Sequence, residues 1–365
     1  MKNSITFVLP NLKIGGAELA NVQLANYFYN NGYEVRFILT QEIGPLIKKL
    51  PKDVLVECFF KKRFFQTLFL FYRFIKTNPK TCLVVSLWPL TVIVSLAKLI
   101  SNNSAKLLLW EHCVLSEFSS YKKVINRMLI NITARIFYQT AYAVIAPSQA
   151  VADDICKYSG LSQDRISVIP NPAYKDKINA IKPLTTEFRT WAKSKIKLIS
   201  VGNLSPIKNH KLLVDALSKL PHNLDFSLIL LGEGACRTEL EKQIKQMQLQ
   251  NKVFLAGQVV ETEPYYEIAD LFVLSSDSEG FSNVIVEALS FGLSVVSTDC
   301  GTGPREILLA GQYGRLVSKM NSSALAHAIE QELNSPTSTK EKRIHRAKEY
   351  SSDVIGEKFR KLLEN

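Results

Sequence analysis

The chain has 365 residues, room for two to three domains at about 150 residues each. With 47% hydrophobic and 21% charged residues, it is excluded from the disordered and fibrous classes. Forty-five Lys and Arg against 33 Asp and Glu leave a net charge of +12, which points to an anionic partner without choosing among nucleic acid, a membrane surface and a phosphorylated substrate.

Ile5–Leu9 is a short apolar run stopped by Pro10. It reads as a first strand, being too brief for a leader peptide and followed by no small-residue cleavage site. Glu34–Leu39, Leu83–Ser86, Lys106–Trp110, Ala143–Ala146 and Ile166–Ile169 continue the strand series, with helical stretches between them. The uncharged stretch Thr81–Ala97 is broken by Pro89 and is shorter than the roughly 20 residues that span a bilayer; it reads as strand, turn and helix start. In the second half Lys197–Val201, Phe226–Leu231, Val253–Ala256, Leu271–Leu274 and Ser294–Ser297 are the strands. Near-continuous apolar runs separated by helices predict parallel sheets covered on both faces, hence two doubly wound α/β domains.

The polar stretch Tyr174–Lys195, carrying Pro183, marks the boundary. The reading is a first domain over 1–172, a linker over 173–195, a second domain over 196–345, and a C-terminal helix over 346–365 packing back on the first domain. Six cysteines are scattered without a C-x-x-C pair, which fits reduced, buried thiols in a cytosolic compartment rather than a disulfide scaffold or zinc site.

Candidate chemistry collects after the strands. Gly15-Gly16-Ala17-Glu18 lies between the first strand and helix Leu19–Asn30, and its glycines let backbone N–H groups approach a ligand at a helix N-terminus. A plain tight turn has the same signature, and G-x-G-x-x-G is absent, which argues against an NAD-dependent oxidoreductase. His112 follows Lys106–Trp110, at the strand end where such sheets bind ligands. A packed histidine is the plainer reading of that residue alone.

The second domain opens with Gly202-Asn203-Leu204-Ser205-Pro206-Ile207-Lys208-Asn209. It places the Lys208 ammonium at a strand-to-helix turn as a diphosphate clamp, although a lone lysine is also an ordinary surface residue. Leu231-Gly232-Glu233-Gly234 and Leu255-Ala256-Gly257 end two further strands, where backbone groups can read a nucleobase edge. The richest segment is Ser275-Ser276-Asp277-Ser278-Glu279-Gly280-Phe281-Ser282-Asn283-Val284-Ile285-Val286-Glu287. Gly280 permits a tight turn, Ser282 is the expected N-cap of helix Asn283–Phe291, and the first-turn N–H groups face a diphosphate. Of Glu279 and Glu287, one is expected to hold sugar hydroxyls and the other ribose hydroxyls.

Gly15-Gly16-Ala17-Glu18, Ala146-Pro147-Ser148, Ile169-Pro170-Asn171-Pro172, Gly202-Asn203…Lys208-Asn209, Gly232-Glu233-Gly234 and Glu279-Gly280-Phe281-Ser282…Glu287 occur in this order. Together they resemble the retaining GT-B glycosyltransferases of family 4 over nearly the whole chain. The resemblance implies two Rossmann-like domains facing an interdomain cleft, with the acceptor mainly on the first and a nucleotide sugar, UDP- before GDP-, mainly on the second. It assigns Gly16 and His112 to the donor phosphate or sugar, Lys208 to the diphosphate, Glu279 to the sugar hydroxyls and Glu287 to the ribose. Catalytic roles fall on His112 and Glu279; Asn203, Gly257, Gly280, Phe281, Ser282 and Asn283 join the donor site. The family usually has arginine where this chain has Asn203, and Arg305 is the candidate to compensate. D-x-D is absent from the sequence, so no metal or other cofactor is expected. The implied reaction is front-face transfer with retention, Lys208 and a helix N-terminus neutralising the leaving group.

Residues 58–152 hold twelve Lys and Arg against Glu111 and Glu117, so ten of the twelve surplus charges sit there. Within Lys61–Lys76 the residues Phe64, Leu68, Phe71, Tyr72 and Ile75 share a helical face; within Tyr121–Tyr138, Val124, Ile125, Met128, Leu129 and Ile132 do. Basic amphipathic helices suit an anionic membrane, with Lys61, Lys62, Arg63, Arg73, Lys122, Lys123 and Arg127 as contacts; core-packing helices with solvated lysines are the alternative. The expected protein is a cytoplasmic transferase peripheral to the inner face of the membrane. It acts on a lipid-linked saccharide in bacterial surface polysaccharide synthesis (O-antigen or capsule), with no nucleic acid as partner. A transferase with a small soluble acceptor, or a silent sugar-nucleotide-binding module, remain open.

Overall fold

A computed structural model of the chain describes residues 4–41, 44–59, 64–114, 116, 124–176, 185–301 and 303–364. It divides into two units, Met1–Pro172 with Ser352–Asn365, and Ala173–Ser351.

The first unit is built on β1 (Ser4–Leu9), β2 (Glu34–Leu39), β3 (Leu55–Cys58), β4 (Cys82–Ser86), β5 (Lys106–Trp110), β6 (Ala143–Ala146) and β7 (Ile166–Val168). They lie in the order β3-β2-β1-β4-β5-β6-β7, and every pair is parallel. Its inner strands are aliphatic runs buried on both faces, the condition under which parallel sheets form. Because side chains alternate along a strand, Ile5, Phe7 and Leu9 enter one core and Val8 the other. The first core lies under helices Gly16–Asn30 and Ser352–Glu364. The second lies under Phe64–Thr77, Leu90–Ser101, Val124–Phe137 and Gln149–Ser159. Helix Ser352–Glu364 buries Ile355 and Phe359, whose ring meets Trp110 at a centroid distance of 4.8 Å. Gly356 lets it approach, since a Cβ there would stand 2.2 Å from the Tyr27 ring.

The second unit has β8 (Ile196–Val201), β9 (Phe226–Leu231), β10 (Val253–Gly257), β11 (Leu271–Leu274), β12 (Ser294–Thr298) and β13 (Arg315–Val317), in the order β10-β9-β8-β11-β12-β13. Leu198, Leu228 and Leu230 face helices His210–Leu217, Arg237–Gln246 and Ser322–Asn334. Ile199, Ile229 and Phe272 face Glu263–Ile268, Asn283–Ser290 and Lys340–Lys348. In both sheets the first strand lies between the second and the fourth, so the direction of winding reverses there. Loops leaving the carboxyl ends of those strands frame the crevice where doubly wound sheets take ligands.

The structure corrects several sequence expectations. The strands β3 and β13 are four- and three-residue edge strands, too short to stand out as periodic runs. In place of a linker over 173–195, the chain enters the second unit at once. Ala173 and Tyr174 donate to the Tyr350 carbonyl at 3.0 and 3.1 Å. Thr186–Trp191 is a helix, capped by the Thr185 hydroxyl, which accepts from the Phe188 N–H at 3.2 Å. One buried pair, Phe188 and Trp191, makes this helix, too little for a periodicity signal; residues 177–184 lie outside the described residues. The charged C-terminal segment is two helices. Lys340–Lys348 stays with the second unit, where Arg343 and Arg346 donate to the Gly292 and Ile307 carbonyls at 3.0 Å each, so the division falls after Ser351 rather than after 345.

In the helix Phe64–Thr77 the face that the period selects packs on the core, the alternative reading, rather than facing a membrane. Phe71 and Ile75 are core residues with Leu68 and Tyr72 packed beside them, whereas Phe65, 78% exposed, and Phe69 point to solvent together with Arg73. In Val124–Phe137, Met128 (66% exposed), Leu129, Ile132 and Ile136 are exposed. Lys61, Lys62, Arg63, Lys122 and Lys123, and the side chains of Phe64, Val124, Ile125 and Arg127, lie outside the described residues. No described helix is long and apolar enough to cross a membrane. Cys58 and Cys113 are exposed rather than buried.

Candidate active site

In the first unit the crevice loops bring three uncharged groups together. Asn21 on helix Gly16–Asn30 donates from Nδ2 to the Ser86 hydroxyl at 3.1 Å and stands 3.3 Å from His112 Nε2; Ser86 Oγ lies 3.4 Å from the same nitrogen. Ser86 ends β4 and His112 follows β5, so a helix and two strand ends converge. All three side chains are buried. Burial pushes the imidazole pKa down to about 3, opposed only in part by Asn171, so the ring is neutral at physiological pH. The neighbouring Glu111 is pushed up to about 7 by burial, with Tyr138 donating to its carboxylate. Gly16 sits exposed in the first turn of its helix, behind an extended Gly15. The Glu18 carboxylate folds over Gly15, where a Cβ would lie 2.2 Å from Oε2, and burial raises the Glu18 pKa.

In the second unit the loops after β8 and β11 are laced together. Lys208 Nζ donates to Glu279 Oε1 at 2.6 Å, and the Ser276 hydroxyl donates to the same oxygen at 2.6 Å. The Ser275 hydroxyl donates to the Lys208 carbonyl at 3.1 Å, and the Asp277 N–H to the Ile207 carbonyl at 2.8 Å. Asn209, left-handed at φ 44°, caps the next helix through Leu212 N and donates to Asp277 Oδ1 at 3.0 Å. Glycines make the close packing possible. A Cβ on Gly232 would meet the Gly202 carbonyl at 2.0 Å, and one on Gly303 the Phe281 carbonyl at 2.0 Å. Gly257 closes the row by accepting from the Gly232 N–H at 2.8 Å.

Ser282 precedes helix Asn283–Ser290 but does not cap it as expected. It holds φ 79°, and its hydroxyl, buried, makes no side-chain hydrogen bond. A non-glycine residue in the left-handed region stores strain of about 1 kcal/mol or more. Here it opens the helix Asn283–Ser290 beside an unsatisfied buried hydroxyl, and helix N-termini suit anions. Near Glu279, burial and that carboxylate push the Cys300 thiol up to about 12. Burial and then Lys208 hold His210 down at about 4.

Glu287 is held by Lys175, whose ammonium lies 3.4 Å from Glu287 Oε2 and 3.1 Å from Glu263 Oε1. Asn203 is exposed in its loop. Arg305 is paired with Asp299 through both carboxylate oxygens. The structure thus gathers Lys208, Glu279, Gly280, Ser282 and Asn283 on the loops after β8 and β11, with Asn203 and Gly257 on neighbouring loops and Gly16 and His112 in the other unit; Phe281 turns into the core instead, where its ring meets Tyr350 at 5.5 Å. Sequence reasoning quoted Ser276 without a role and missed Asn21, Ser86, Lys175 and Glu263 altogether. None of these four lies in a motif, and only the fold brings them to their partners.

Two doubly wound parallel-sheet units with these crevices define a GT-B fold. Residues 14–176 match the model "Glycosyltransferase Family 4" and residues 184–351 the model "Glycosyl transferases group 1". Fold and sequence together place the chain among the GT-B glycosyltransferases, an enzyme class of sugar transferases. The chain is 31% identical over 227 residues to an uncharacterized glycosyltransferase of Methanocaldococcus jannaschii, a match covering 61% of this chain and 55% of that protein. It therefore spans only about half the length of that relative. It is 26% identical, over 98% of both chains, to the Campylobacter jejuni GalNAc-alpha-(1->4)-GalNAc-alpha-(1->3)-diNAcBac-PP-undecaprenol alpha-1,4-N-acetyl-D-galactosaminyltransferase. Among solved structures it is similar to Anabaena HepE in complex with UDP and glucose, with a TM-score of 0.82, 23% identity and 99% of each chain covered.

Proposed function

We propose that this chain is a retaining hexosyltransferase that moves a sugar from a UDP-sugar to a lipid-linked saccharide in bacterial surface polysaccharide synthesis. The observation that carries the reading is the Lys208–Glu279 pair beside the strained Ser282 turn, because it sets a cation, a carboxylate and a helix N-terminus around one point. Lys208 and the helix N–H groups take the diphosphate, Glu279 accepts from sugar hydroxyls, and Glu287 accepts from the ribose. Gly16 and the neutral His112 serve the sugar from the first unit. The anomeric carbon's bond to the diphosphate breaks and its bond to the acceptor oxygen forms on the same face. The acceptor's proton passes to the leaving phosphate oxygen, and the cation with the helix end stabilises the developing charge. No cofactor enters this scheme. Support for the donor comes from the UDP and glucose held by the Anabaena structure, and for the acceptor from the diphospho-undecaprenol glycan in the Campylobacter relative's name.

On this reading the first unit docks on the anionic inner face of the membrane. The exposed apolar residues Phe65, Phe69, Met128, Leu129, Ile132 and Ile136 lie in the region carrying the surplus of ten positive charges, a pairing that suits interfacial binding. The test is nucleotide release from UDP-, GDP- and TDP-sugars with a lipid extract as acceptor. Lys208→Ala is expected to lower kcat/KM about 100-fold or more, and Glu279→Ala about 10-fold or more. Wild-type rates in both variants would refute the site. An inverted anomer in the product would refute retention. Liposome flotation separates a membrane-bound enzyme from one with a soluble acceptor: failure to float with anionic vesicles at low salt removes the docking claim.

A further inference from the structure

Lys175 is the most enclosed ammonium in the described part of the donor-binding unit, with its side chain 8% exposed. Its backbone N–H donates to the Ser290 hydroxyl at 3.2 Å, and Nζ to the Thr262 hydroxyl at 2.7 Å. With Glu263 and Glu287 at 3.1 and 3.4 Å, all three ammonium protons have an acceptor. Each carboxylate is itself more than nine-tenths buried. Two buried carboxylates without a cation are untenable at neutral pH, and one of them would take up a proton. Burial works against the charge on Lys175, but Glu287 and then Glu263 outweigh it and hold its pKa above the ordinary lysine range. Tyr266, wholly buried, is pushed well above the ordinary tyrosine range by burial and then by the charge of Glu287, and stays neutral. Lys175, Glu263 and Tyr266 are thus the titratable groups that meet Glu287.

We infer that Lys175 is a positioning residue for the nucleotide: it keeps Glu287 an ionised carboxylate in one orientation, from which it accepts the ribose hydroxyls. The inference rests on the ribose role of Glu287 proposed above. The ammonium belongs to the segment that leads into the second unit, so ribose recognition depends on how residues 173–175 are seated against Tyr350 and Ser290.

The experiment compares binding of UDP and 2′-deoxy-UDP by calorimetry in the full chain. The wild type is expected to prefer UDP by about tenfold, the worth of a hydrogen bond to a charged group. Glu287→Gln is expected to remove most of that preference. Lys175→Met is expected to remove it as well, although it is no ligand of the ribose, because Glu287 then loses its tether and shares a buried site with an unneutralised Glu263. Lys175→Arg is expected to retain it in part. Should Lys175→Met fail to fold, K175M/E263Q keeps the net charge of the cluster at minus one and removes only the tether; it too should lose the preference. A wild-type preference in K175M/E263Q overturns the inference, as does an equal weakening of both nucleotides in Lys175→Met. If Glu287→Gln itself keeps the preference, the ribose role of Glu287 falls, a result distinct from either of those.

Discussion

The two units share one strand order and place opposite chemistry at the same point of it. Around the crevice of the first sheet stand Asn21, Ser86 and a neutral His112, none of them charged. Around that of the second stand Lys208 with Glu279 and, deeper, Lys175 with Glu263 and Glu287. The scaffold therefore fixes where groups gather, and the residues spliced onto its strand ends decide what they bind. Amide, hydroxyl and imidazole groups match the hydroxyls of a sugar without attracting or repelling charge. Ammonium, carboxylate and helix N–H groups suit a diphosphate and a ribose.

Three changes would break or sharpen that contrast. The largest effect is expected from Phe359→Ala, which empties a buried ring site against Trp110 and should cost the first unit about 3–5 kcal/mol. Hydrogen exchange should show the loss in the first sheet alone; equal loss in both sheets would mean the units are not separate in stability. Next is Glu111→Gln. Glu111 stays protonated in the fold to about pH 7 against an ordinary value of 4.5. Its stabilising effect is therefore full below pH 4.5 and drains away as pH rises through 7, by about 2–3 kcal/mol. Urea midpoints at acid and mildly alkaline pH should differ less in Glu111→Gln than in wild type; an unchanged difference would show that Glu111 ionises normally. The smallest effect is expected from Asn203→Arg, which adds one cation to the charged crevice and should tighten UDP about fivefold. No change in calorimetric affinity would show that residue 203 does not reach the phosphates.

The fold was largely legible because buried parallel strands are apolar on both faces. Ile5–Leu9, Phe226–Leu231 and Leu271–Leu274 stand out for that reason, whereas β3 and β13 pack at the edges and carry no such run. The donor loops were legible through glycines and charged residues at fixed places in Gly202–Asn209 and Ser275–Glu287. Lys175 and Glu263 were not, since an isolated lysine in a polar stretch looks solvated until the fold buries it. Ser282 was found for the wrong reason: an N-cap serine is common, but a left-handed one whose hydroxyl makes no side-chain bond is a backbone fact that composition does not encode. The apolar face of Phe64–Thr77 was legible from its period, but what covers it was not, because a core and a membrane surface ask for the same apolar stripe.

Helix Ser352–Glu364 gives the protein an order of assembly. The second unit is inserted, in sequence, between the body of the first and the helix that fills its core with Ile355 and Phe359. A ribosome releases residues 1–172 well before that helix exists, so the early sheet must wait with one core covered by helix Gly16–Asn30 alone while residues 173–351 emerge and fold. Synthesis thus finishes the second unit before the first, the reverse of the usual N-terminal-first sequence, and truncated chains released before residue 352 would carry a complete second unit beside an unfinished partner.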